Sequence, residues 1–276
     1  MSGLFLYPAL LACLAAGALW LGFLLAQREW LCRAGVWVMG LSLVLLTLEL
    51  AAVLFRAGRL PGANLGEALL LFAWALVAAF LFFYWRYPIK VLGALAAPLA
   101  AVAVSGSLIL PSQTGTASPL LESFWLSIHI VLAVLGNAAL TLAGLGSILY
   151  LIQERQLKGK RFGFFYHRLP SLEQLDALNY RCLTLGFPLL TGGIISGSLY
   201  AQYTLGRLWS WDPKEVLTLA AWLVYAVLLH ERLAVGWRGR RAALLTLSGL
   251  VLLVVTFIGA HLWAAGYHSF SSFAQP

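Results

Sequence analysis

Charge is what this chain has least of: only 10% of its 276 residues are ionised, while 62% are hydrophobic. A soluble domain carries about 25% charged residues, so a water-facing surface for a globular fold is excluded. Cysteine is almost absent as well. Cys13, Cys32 and Cys182 lie in or beside apolar runs with no C-x-x-C spacing, which removes the basis for a disulfide framework, a thiolate metal centre or a dithiol redox pair. The three read as core residues. No basic stretch precedes the first apolar run, and no small-residue cleavage site leads into a soluble domain, so that run is expected to be a true span and not a removable signal peptide. Nor is there an internal repeat of roughly 20–50 residues or a pair of interrupted spans of the kind that marks an inverted-repeat transporter. The net charge of +8 is spread between apolar runs, so no nucleic-acid partner is implied.

What remains is long apolar runs. They cover about 4–26, 34–55, 66–84, 91–110, 125–152, 182–200, 215–233 and 243–264, each near the roughly 20 residues that cross a bilayer as a helix. The expected fold is all-α: a polytopic integral membrane helix bundle of about eight transmembrane helices, one membrane domain over 1–276. Alternate connections hold Arg28 and Arg33; Arg86 and Lys90; Arg155, Lys158, Lys160, Arg161, Arg168 and Arg181; and Arg232, Arg238, Arg240 and Arg241. The opposite connections hold only Arg56, Arg59, Arg207 and Lys214. Bases accumulate on the cytoplasmic side, which puts both termini outside. The connection at 154–180 is the longest cytoplasmic one, and its "LEQLDALNY" pattern predicts a short amphipathic helix at the inner interface.

Three unusual segments then share the outer face: "PSQTGTASPLLES" at 111–123, "RLWSWDPKE" within 200–215, and the tail "GYHSFSSFAQP". Ionisable residues in or at the edge of spans are costly and tend to mark sites. His129 lies about one turn into helix five from the outer side, and His268 follows helix eight. His230 ends helix seven about 22 Å deeper. His261 is in the outer part of helix eight, and His167 is a loop residue. Two imidazoles on different helices beside a Trp-rich segment suit a planar, apolar, anionic ligand with a metal at its centre, and haem has those properties. Its ring would stack on Trp209 and Trp211, its propionates would meet Arg207 or Lys214, and Asp212 with Pro213 would start helix seven as N-cap and first-turn residue. An interfacial aromatic belt with an ordinary helix cap accounts for part of the same pattern.

"WSWDPKE" resembles the tryptophan-rich WWD motif of haem-handling proteins, and the sequence from "LDALNYRC" to "LLHER" is similar to the CcsA (ResC) family of the system II cytochrome c synthase. "GANLGEALLLFAW", "SFWLSIHI" and "GYHSF" resemble further segments of that family, so the likeness extends from about residue 56 onward. It implies that His129 and His268 are axial ligands for haem b at the outer face, that the WWD segment is its platform, and that His230 ligates haem at an intramembrane position. It also implies a CcsB (ResB)-like membrane subunit that supplies the other intramembrane ligand. Apocytochrome c would be the acceptor, thiol-reducing membrane and outer-face thioredoxin-like proteins further partners, and a bacterial inner membrane the location. The implied activity is that of a holocytochrome c synthase (haem lyase) complex; no acid, base or nucleophile is assigned. Tyr200, where that motif often begins with Trp, and His261, where Asn is expected, depart from the pattern. A HemX- or YpjD-like regulator or scaffold, or a haem exporter without ligase activity, is the alternative. Among the acids, Glu49 within helix two is read as a proton relay, a partner of His230 or a hydrogen-bonded structural group. Glu67 is expected to orient a base or the WWD loop, and Glu122 to begin a helix.

Overall fold

A computed structural model describes residues 3–62, 64–110, 123–160, 163–164 and 166–262. Its elements are α1 (Leu6–Ala26), α2 (Glu29–Ala57), α3 (Leu65–Arg86), a 3-10 turn at Lys90–Leu92, α4 (Gly93–Ile109), α5 (Phe124–Lys158), α6 (Leu172–Leu205), α7 (Pro213–Ala234) and α8 (Arg240–Leu262). Among the described residues there is no strand, and eight helices are long and apolar enough to cross a membrane. The chain is a multi-pass membrane protein.

Packing divides the bundle in two. Helices α1 to α4 surround a core centred on Trp20, whose ring meets Phe80 and Tyr84 edge-on, with centroids 5.7 Å away in both cases. Helices α5 to α8 form the second group around Leu140, Tyr225 and Leu228. The groups meet chiefly where α3 lies against α5. The closest pair is α5 with α6, held by a seam of small residues: a Cβ at Gly136 would come within 2.8 Å of the Leu190 amide nitrogen. Without a hydrophobic drive between helices in lipid, such backbone approach supplies the van der Waals contact that joins them.

One end of the bundle is basic. Lys90 pairs there with Glu29 at 2.7 Å, Arg168 donates to the Leu25 carbonyl, and the Arg181 guanidinium lies 3.5 Å over Tyr87. Arg232 pairs with Asp176, whose carboxylate also accepts from the Gly239 amide at 2.9 Å. These contacts stitch the α1–α2, α3–α4, α5–α6 and α7–α8 junctions together.

The structure differs from expectation at 172–180. No separate surface helix forms; those residues are the first turns of α6. Ser171 starts that helix with a capping box to Gln174, and the helix continues through Pro188 for 34 residues, about 51 Å, which is longer than a roughly 30 Å hydrocarbon core. The amphipathic pattern belongs to the part that emerges from lipid. Glu49 is fully buried, and its Oε2 accepts the Phe5 amide at the start of α1. It lies toward the end away from His230 and does not pair with it, because α2 and α7 carry the two residues at opposite depths. Its Oε1 has no partner among the described residues.

Candidate functional site

The end opposite the basic one holds His129, six residues into α5 counting from Phe124. Its Nδ1 lies 2.7 Å from the Gly193 carbonyl on α6. A carbonyl only accepts, so Nδ1 carries a proton, which in a neutral ring makes Nε2 the nitrogen with the lone pair. The ring fits because residue 197 has no side chain: a Cβ there would stand 2.7 Å from His129 Nδ1 and 2.9 Å from Cε1. The α5–α6 seam therefore sets both the place and the tautomer of this imidazole.

Two cavities meet at His129. One, about 60 Å³, is bordered by His129, Gly197, Trp209, Lys214, Glu215 and Thr218. The other, about 150 Å³, runs inward between α3, α5, α6, α7 and α8, with His129, Lys214, Thr218 and Asn137 among its walls. Asn137 is two turns below His129, about 12 Å along α5, and its buried Oδ1 has no partner among the described residues.

The Trp-rich segment is a braced turn. Asp212 accepts from the Lys214 amide at 2.8 Å, and Pro213 opens α7, as expected for this helix start. Glu215 reaches back to Ser210, taking its amide at 2.8 Å and its hydroxyl at 2.7 Å. Between these anchors Trp211 has φ +59°, a left-handed conformation that costs a residue with a Cβ about 1–2 kcal/mol. Its ring is 78% exposed and stands edge-on to Trp209, with centroids 6.2 Å apart and planes at 82°. The indoles make a corner, not a flat shelf. Trp209 and Lys214 share a cavity with His129, whereas Arg207 is exposed and lines neither.

Glu67 does orient a base: it holds Arg59 through two oxygens, at 2.8 and 3.2 Å, and accepts from the Gly62 amide. Asn64 caps the same first turn of α3. Gly62, at φ +148°, sits against Ile130, with space for its missing Cβ only 3.1 Å from Cδ1. This loop forms the α3 wall beside His129. Sequence reasoning missed Gly193, Gly197 and Arg59; the small residues of "TGGIISGS" were the available signal for the first two.

His230 is exposed near the basic end of α7, in line with Leu219, Leu223, Val227 and Leu233, which all turn outward from the bundle. It is not brought to the His129 cluster. His268, Glu122, the segment 111–122 and the tail from 263 lie outside the described residues, as does the side chain of His261.

A family model described as "Cytochrome C assembly protein" matches residues 63–268. The Synechococcus sp. (strain CC9902) protein named "Cytochrome c biogenesis protein CcsA" is 38% identical over 255 residues, covering 83% of this chain and 84% of its own. A Chlamydomonas reinhardtii protein of the same name is 37% identical over 245 residues, covering 86% of this chain and 68% of its own. Among solved structures, "Cytochrome c Heme Lyase CcmF" superposes with a TM-score of 0.68 at 17% identity, covering 99% of this chain and 51% of that one. The chain thus spans about half of that solved protein, and the likeness is one of fold.

Proposed function

Since the chain belongs to the cytochrome c assembly protein family and is similar to CcsA proteins over most of its length, we propose that it is the haem-handling subunit of a system II cytochrome c synthase. It takes haem b as substrate, holds it at the outer face and presents it for attachment to an apocytochrome c. Each thioether is a Cys thiol added across a haem vinyl group, so the chemistry needs reduced thiols and correct placement more than a protein acid or base. Placement is worth several kcal/mol in a reaction of this kind.

The observation that carries this reading is the pinned His129 imidazole beside Trp209 and Lys214. A ring whose Nδ1–H is fixed on a carbonyl has its other nitrogen suited to iron, an indole supplies an apolar face, and an ammonium suits a propionate. The donor set fits an iron porphyrin. In this reading His268 supplies the opposite axial ligand, and displacement of one imidazole by the histidine of the arriving C-x-x-C-H motif releases product. His230 ligates haem within the membrane. Its outward position on α7 supports a second ligand from another chain, a CcsB-like subunit of the bacterial inner membrane.

The test is the absorption spectrum of the protein purified with a CcsB-like partner. Haem should co-purify, and His129→Ala should reduce it strongly, with partial recovery in His129→Gly supplied with imidazole. Unchanged haem content in both variants would remove His129 from the site.

A further inference from the structure

A further cavity stands at the basic end, away from the histidine end. It measures about 570 Å³ and is bordered by the α1–α2 junction, the α3–α4 junction and the first turns of α6. That volume lies in the range of sites for small organic ligands, about 300–1,000 Å³. Four bases face it, Arg86, Lys90, Arg168 and Arg181, against Glu29 and Glu173, and Glu29 is already committed to Lys90. Arg181 is held flat on Tyr87 at 3.5 Å, and Arg86 flanks the same ring at 5.7 Å. Neither has a carboxylate within ion-pair distance among the described residues. Arg168 is anchored by the Leu25 and Phe164 carbonyls, and its buried Nε has no partner. Stacking and backbone anchoring thus order three guanidinium groups without spending their charge, while Phe23, Val91, Leu169 and Leu178 give the cavity an apolar floor.

We propose that this cavity is a binding site for the phosphate headgroup of an acidic phospholipid. Arginine matches phosphate through its planar fork of donors, and basic pockets between spans at the headgroup level take such lipids. The level is marked by Trp30 and Trp85, 54% and 83% exposed beside Glu29 and Arg86, as in an interfacial aromatic belt. The apolar floor favours a lipid over free phosphate. No His, Cys or Met stands among the described residues that border it, and the Tyr87 ring is engaged by Arg181 and Arg86, so an iron porphyrin would find cations there but no imidazole or sulfur ligand. The proposal rests on nothing at the histidine end.

The full chain is reconstituted in phosphatidylcholine nanodiscs with and without phosphatidylglycerol, and thermal unfolding is followed. Phosphatidylglycerol should raise the midpoint by about 5 °C, and native mass spectrometry of the purified protein should retain that lipid. In Arg86→Gln/Arg181→Gln both effects should be lost. Arg238→Gln/Arg241→Gln, at the same end but outside the cavity, should keep them. Retained stabilisation in the first pair, equal loss in the second, the same rise from inorganic phosphate in phosphatidylcholine alone, or no acidic lipid retained by the wild type would each overturn the assignment.

Discussion

Trp211 is the residue whose geometry argues hardest for a function. A bulky side chain at φ +59° persists only where its surroundings over-determine it, and here Ser210–Glu215 on one side and the Asp212 cap on the other do so. The ring gains little burial in return, being 78% exposed. Strain kept at an exposed aromatic points to something outside the chain that the ring meets. Trp211→Gly should therefore leave the thermal midpoint unchanged or raise it, because glycine adopts this φ freely, while the haem that co-purifies falls several-fold. A parallel fall in midpoint and haem would make the ring structural. Gly197 gives the complementary case. Its replacement by Ala puts a methyl 2.7 Å from His129 Nδ1, so the ring must turn off the Gly193 carbonyl or α5 and α6 must part, at about 1–3 kcal/mol. Haem content should drop in Gly197→Ala. It should hold in Gly192→Ala, whose new Cβ meets only the flexible end of Leu132.

At the scale of the elements, apolar runs located all eight helices but not their ends. The run at 182–200 became Leu172–Leu205, and 125–152 became Phe124–Lys158. Hydropathy marks only the length in contact with lipid, while the ends are set by caps and side-chain bonds that a run of Leu and Ala does not announce. Asp212 with Pro213 could be read from the sequence, since a cap acts within one turn. The bond from Glu215 back to Ser210 and the conformation of Trp211 could not, since both depend on how the turn closes. The same limit hid the brace at the other end, where Asp176 on the emergent part of α6 holds both Arg232 of α7 and the Gly239 amide before α8. The Arg232 and Asp176 side chains are only 9% and 15% exposed, so removing the acid strands a mostly buried cation. Asp176→Ala should cost about 3 kcal/mol, read as a lower thermal midpoint.

Over the whole molecule, the two ends carry opposite chemistry. The His129 cavities, the Trp corner and the Arg59–Glu67 loop share one end. Lys90, Arg168, Arg181 and Arg232 gather at the other, locked to neighbouring junctions. Because positive charge is retained on the cytoplasmic side during insertion, this polarity predicts the orientation of the His129 end: it faces the outer side, the side on which the proposed function has apocytochrome c matured. The chain is well suited to the measurement, since Cys13, Cys32 and Cys182 are all buried and a single introduced thiol reports alone. In intact cells a membrane-impermeant maleimide should label Arg207→Cys, in the exposed turn before Trp209, and should reach Arg238→Cys, between α7 and α8, only after the membrane is opened. The reverse pattern would turn the bundle over and put His129 on the cytoplasmic side, a result no reassignment of ligands could reconcile with attachment of haem at the outer face.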